Sequence, residues 1–118
     1  MKIHNLYTDA AGESHFRDLE VEWIETRRGS KLSKKLPATG VIFRETAAEH
    51  NVDWHPAPRR QFVIILQGQL EIGLGDGSKH VFGPGDARLV EDTTGKGHTT
   101  RVHGNQPCVT ATVPLAQQ

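Results

Sequence analysis

Apolar positions in this chain fall in short runs separated by glycine-rich punctuation, and none of the runs has a helical period. Phe62-Val63-Ile64-Ile65-Leu66 is apolar on both faces of an extended segment. Such a strand is covered on both sides, which calls for a second layer or a partner subunit. Leu70, Ile72 and Leu74 alternate with polar residues or glycine, the signature of a half-buried strand. Leu19, Val21 and Trp23 alternate too, which predicts a strand within Phe16–Glu25 centred on Val21–Ile24. Gly40–Thr46, Lys79–Phe82, Arg88–Val90, His98–His103 and Cys108–Val113 are the remaining strand signals. The polar, basic stretch Arg27–Lys35 and the proline-bearing stretch Glu49–Arg60 read as loops. Gln67-Gly68-Gln69, Gly75-Asp76-Gly77-Ser78 and Gly83-Pro84-Gly85-Asp86 read as turns, the second of the Asp-Gly hairpin type. Strand signals every ~8 to 12 residues, with turns between them, predict an all-β antiparallel barrel or a double-sheet jelly roll.

Composition narrows the function classes. At 118 residues the chain is one domain with room for one core. Fourteen basic residues balance fourteen acidic ones, so no net field draws the protein to nucleic acid or to an anionic membrane. No apolar run approaches the ~20 residues of a membrane span, and Met1–Leu6 is too polar for a signal peptide. The single cysteine, Cys108, cannot form an internal disulfide, which fits a reducing cytoplasm. Cys108 lies in a strand-like run and reads as a small buried residue.

Candidate chemistry gathers in two segments. The first is Trp54-His55-Pro56-Ala57-Pro58-Arg59-Arg60-Gln61, which runs into Phe62–Leu66, Gly68 and then Leu70-Glu71-Ile72. The second begins at Phe82-Gly83-Pro84-Gly85-Asp86 and ends at Gly95-Lys96-Gly97-His98. Together they resemble the two motifs of small cupins over about residues 40–113, with residues 1–39 as an N-terminal strand and loop of the same domain. The resemblance implies a double-stranded β-helix, or jelly-roll barrel, in a homodimer, with any metal held inside near the open mouth.

The motifs depart from the family's pattern. Gly68 fixes Gln61 where the family has glutamate. His55 lies one residue further upstream than the second histidine of the motif, and Asp53 stands in the place of the first. In the second motif Gly95 and His98 fit, but Thr93 replaces proline and Val102 replaces asparagine. The stretch from Gly85 to Gly95 is two residues longer than usual and contains Glu91 and Asp92.

The family pattern thus points to His55, Gln61 and His98 as ligands of a divalent Fe, Mn, Ni or Zn ion, with a weaker oxygen donor than usual. Strand alternation puts Gln61, Val63 and Ile65 on one face, with His98, Thr100 and Val102 on the opposite wall if Gln61 points inward. His98 with Glu91 or Asp92 would serve metal-free acid/base catalysis. Trp54, Arg59 and Arg60 flank the first motif and suit a small organic acid. The other histidines, His4, His15, His50, His80 and His103, show no pairing pattern. The expected function is a small-molecule cupin enzyme of oxygenase, isomerase or lyase type. Its rivals are a ligand-binding or sensing cupin without turnover and a structural dimerisation module.

Overall fold

Turn chemistry cuts the chain into twelve strands and no helix. A computed structural model describes residues 1–118. The strands are β1 (Lys2–Thr8), β2 (Ser14–Glu20), β3 (Glu25–Arg27), β4 (Ser30–Leu32), β5 (Ile42–Thr46), β6 (Asn51–His55), β7 (Gln61–Gln67), β8 (Gln69–Gly73), β9 (Lys79–Phe82), β10 (Ala87–Val90), β11 (His98–His103) and β12 (Cys108–Pro114). Gly68 joins β7 to β8 at a φ of 76°, and a side chain there would come within 2.5 Å of the Pro107 carbonyl oxygen, so only glycine fits. The Gly83–Asp86 turn is closed by Asp86 N–H donating to Gly83 O at 3.0 Å and by Gly83 N–H donating to Asp86 Oδ2 at 2.8 Å.

Two sheets form the barrel. One has six strands in the order β2-β1-β10-β7-β12-β5, and the other has four in the order β6-β11-β8-β9. Most neighbours are antiparallel; β1 lies parallel to β10. The core lies between the sheets. Leu6, Val63, Ile65, Val90 and Cys108 from the larger sheet meet Leu70, Ile72, Phe82 and Val102 from the smaller. Fully burying such an aliphatic side chain contributes about 1.5–3 kcal/mol. No helix of the structure is long and apolar enough to cross a membrane.

Four backbone segments differ from the sequence reading. Lys2–Thr8 is a strand that hydrophobic alternation hides, because Asn5 is as buried as Leu6. The Asn5 amide donates to Leu89 O and Glu91 Oε1 and accepts from Arg17 Nε, so its burial leaves no polar group unmet. The strand expected over Phe16–Glu25 instead spans Ser14–Glu20. Its partner β1 begins at Lys2, opposite Glu20, so the pairing with β1 runs out there, and the Ile24 N–H donates instead to Leu32 O of β4. The stretch read as a polar loop at Arg27–Lys35 contains the turn and all of β4 of the β3–β4 hairpin. Arg28 and Gly29 turn it with φ angles of 49° and 81°, the paired positive values of a tight hairpin turn. Within the expected loop Glu49–Arg60, residues Asn51–His55 form β6, one of the two edge strands of the smaller sheet.

The outer face of the six-stranded sheet is apolar and only partly covered. Phe62 and Ile64 are half-buried, Leu66 is 49% exposed and Phe43 is 70% exposed. Phe43, Ala111, Ile64 and Ala87 stand opposite one another across four adjacent strands.

Candidate functional site

The period of two along each strand sends one set of side chains into the barrel. From β7 these are Gln61 and Val63, and from β11 His98, Thr100 and Val102; all five line one interior cavity of about 240 Å³. The two histidines meet because β6 and β11 pair with His55 directly opposite His98. Their ring centroids are 4.7 Å apart. Gly97 allows this pairing. Its φ is 78°, and a side chain there would collide with the His55 carbonyl and the Pro56 nitrogen.

Each ring has one nitrogen tied off. His98 Nδ1 lies 2.6 Å from Asp92 Oδ2, and that same oxygen accepts from Ser14 Oγ at 2.7 Å. Asp92 and Ser14 are buried behind the cavity wall, and His98 is 5% exposed. With Asp92 ionised, Nδ1–H is the donor and His98 Nε2 is the ring atom left for the cavity. His55 Nδ1 lies 2.7 Å from the Asp53 carbonyl oxygen, so the same assignment leaves its Nε2 open. Gln61 Oε1 accepts from Arg59 at 3.0 Å.

A fourth feature belongs to the same cavity. Arg88 lines it from β10 and is 4% exposed. Its Nε is buried with no hydrogen-bond partner. Burial pushes the guanidinium well below its ordinary value, to about 10, against the opposing pull of Asp92. It is therefore still charged at neutral pH. Cys108 is fully buried, and burial pushes its thiol up, as suits a packed and unreactive sulfur.

A family model for the cupin domain matches residues 42–114, more than half of the chain. The chain belongs to the cupin family. Among solved structures, the cupin domain of Cnp3 from Schizosaccharomyces pombe is similar over 97% of this chain and 87% of its own, at 15% identity and a TM-score of 0.50. Protein NMB1881 from Neisseria meningitidis is similar over 70% of this chain and 84% of its own, at 15% identity and a TM-score of 0.47. No curated protein matches the chain in sequence.

Cupin barrels often hold a metal, and the donors in this cupin are poorly suited to one. No three His, Cys, Asp or Glu side chains converge to hold an ion. The cavity offers two imidazoles, His55 and His98, and the Gln61 amide oxygen, which already accepts from Arg59. An amide oxygen brings no charge, and the unpaired Arg88 guanidinium on the same cavity repels a dication. This donor set does not fit a tightly held resident metal.

The remaining sequence candidates separate in space. Arg59 lines the cavity of this cupin; Trp54, Arg60, Glu91 and Asp92 do not. Trp54 stands on the surface with Lys96 Nζ 4.3 Å from its ring centroid. Arg60 and Glu91 pair with each other at 2.7 Å, and Glu91 is further held by Asn5. Asp92 touches the cavity only through His98. Arg88 was not among the sequence candidates. One signal could have found it: it lies two residues before Val90 on one strand, so the two share a face.

Proposed function

We propose that this cupin binds a small molecule in the barrel cavity and that His98 transfers a proton on it, in a metal-independent isomerase- or lyase-type reaction. One observation carries the reading. A buried carboxylate bonded to Nδ1 fixes the ring of His98 and leaves Nε2 in a cavity. A buried acid that orients a histidine and balances its positive form is the arrangement that general acid/base catalysis needs. Neutral Nε2 would take a proton from one atom of the ligand, Asp92 would stabilise the resulting imidazolium, and the proton would return to another atom of the ligand. His55 would contact the same ligand, its ring 4.7 Å from that of His98. At about 240 Å³ the cavity is at or below the small end of ligand pockets, ~300 Å³, which favours a small metabolite.

The test is hydrogen exchange. The protein is incubated in D2O with small hydroxy and oxo compounds that bind it, and deuterium in the recovered compounds is read by mass spectrometry. Incorporation by wild type and its loss in His98→Asn supports the reading. Binding without incorporation turns the protein into a ligand-binding cupin.

The protein is also proposed to act as a homodimer joined through the outer face of the six-stranded sheet. The exposed Phe43 and Leu66 and the half-buried Ile64 support this, since an apolar face of this kind marks an association surface.

A further inference from the structure

We propose that Arg88 is the anchor for a carboxylate group and that the natural ligand of the cavity is a small organic acid. This rests on the reading of the barrel cavity as a ligand site.

A charged side chain removed from water normally has a partner, because leaving one unpaired costs several kcal/mol. Arg88 is 4% exposed, and its Nε has no hydrogen-bond partner. The charge that acts on it is that of Asp92, which forms no ion pair with it. Phe82 packs beside it, with the guanidinium carbon 5.4 Å from the ring centroid, near the outer reach of a cation–π contact. Ring carbon cannot take up five N–H donors. The structure thus holds a rigid, charged fork on a cavity wall with donors left over, the group best matched to a planar carboxylate.

The other arginines on the cavity do not compete for this role. Arg59 donates to Gln61, Arg101 is over half exposed and bonds Glu71 at 3.1 Å, and Arg44 is exposed. Thr110 and Thr112, both buried, turn into the same cavity and supply hydroxyls for the rest of the ligand. Thr112 sits opposite Val63, which sits opposite Arg88, so these residues form one row across three strands. Of the four arginines that line the cavity, Arg88 alone is buried, so its fork is the one placed to take a single carboxylate.

The experiment is a titration of wild type, Arg88→Met and Arg88→Lys with propionate, pyruvate, 2-oxobutyrate and benzoate, each beside its primary amide, and with inorganic phosphate. Affinity is read by calorimetry and the Arg88 Nε–Hε group by nitrogen NMR. The expected result is a preference of wild type for at least one acid over its amide of about tenfold or more, with the Arg88 signal shifting on binding. Phosphate should bind more weakly than that acid. Arg88→Met should abolish the preference, and Arg88→Lys should keep only part of it, because a point charge lacks the fork. Equal binding of acids and amides, an unmoved Arg88 signal, phosphate as the tightest anion, or a preference that survives in Arg88→Met would each overturn the proposal. The NMR reading needs only wild type, so it stands even if a variant fails to fold. The titration and the deuterium assay, both run on wild type, separate the two readings. Carboxylate preference kept while deuterium exchange stays absent in wild type refutes the catalytic reading alone; exchange without any carboxylate preference refutes the anchor alone.

Discussion

His98 Nδ1 and Asp92 Oδ2 are 2.6 Å apart across the wall of the barrel, and Ser14 Oγ holds the same carboxylate oxygen from the far side at 2.7 Å. The carboxylate is wholly buried, so it can neither swing away nor be replaced by water without rearrangement. The N-terminal hairpin of β1 and β2, which lies outside the cupin match, thus steadies the side chain that positions the cavity histidine.

Asp92→Ala should therefore affect two quantities at once. Ser14 Oγ–H and His98 Nδ1–H lose their acceptor, at about 1–3 kcal/mol for each group left unsatisfied. Proton transfer by His98 should fall by roughly 100-fold or more. Thermal melts and the deuterium assay read the two effects separately. Exchange at the wild-type rate in a folded Asp92→Ala would show that the carboxylate does not orient His98.

Much of the barrel is legible in the sequence, and the misses have physical causes. Leu70 and Ile72 alternate because β8 lies in the middle of the smaller sheet with one face on the core. Phe62–Leu66 stands out because β7 carries apolar side chains on both faces. The same outer apolar face hides Arg88. On β10 the apolar-in, polar-out rule inverts: Leu89 pairs with outward Phe62, while Arg88 shares the inward face with Val90. Asp92 is legible as a candidate partner of His98, but its burial is not, because nothing local reports that Ser14, far away in sequence, closes over it. His55 and His98 were legible through the family resemblance; their direct opposition depends on β6, a strand that two nearby prolines disguised as loop.

Gly97→Ala should separate the two histidines. The glycine adopts a φ of 78°, and an added methyl would meet the His55 carbonyl. A non-glycine residue in that region costs about 1–3 kcal/mol even without a clash. The expected outcome is a lower melting temperature together with shifted side-chain NMR signals for both His55 and His98. Unchanged histidine signals would mean that the close backbone approach is not what sets their pairing.

The proposed dimer depends on the most exposed side chain of the apolar sheet face. Phe43→Glu places a charge opposite Ala111, in the row that continues to Ile64. Sedimentation should show wild type as a dimer at micromolar concentration and this variant shifted to monomer, with its melting behaviour showing that the barrel is intact. A monomeric wild type would exclude the dimer.

Asp9 gives a pH dependence whose sign is fixed. Its carboxylate accepts from the backbone N–H groups of Glu13 and Ala11, and its other oxygen meets His15 Nε2 at 2.7 Å. The Glu13 and His15 hydrogen bonds, followed by that of Ala11, outweigh desolvation and hold its pKa below the ordinary 3.8. A depressed carboxyl pKa contributes stability above the unfolded value, and that contribution is lost as pH falls through the folded one. The melting difference between wild type and Asp9→Ala should be full at pH 5 and shrink as pH falls below about 3.8. A difference that grows on acidification would contradict the assignment.

Gln61→Glu tests why this barrel is a poor metal site. The substitution keeps the shape of the side chain and supplies the anionic oxygen that the cavity lacks beside His55 and His98. Arg59, 3.0 Å from the Gln61 oxygen, makes the new charge tolerable: it would pair with the carboxylate, which is thus not left alone beside Val63. The metal-free variant should therefore melt close to wild type at neutral pH. Arg59 also competes with any metal for that carboxylate, so Arg59→Ala combined with Gln61→Glu should bind more tightly than Gln61→Glu alone. Thermal melts with Zn(II), Ni(II) or Mn(II) read the effect, because a metal present at 100 times its Kd stabilises by about 2.7 kcal/mol. The expected order of metal-induced shifts is wild type least, Gln61→Glu greater and the double variant greatest. A wild-type shift as large as that of Gln61→Glu would mean that two imidazoles and a neutral amide suffice, and that Arg88 does not keep a dication out of the barrel.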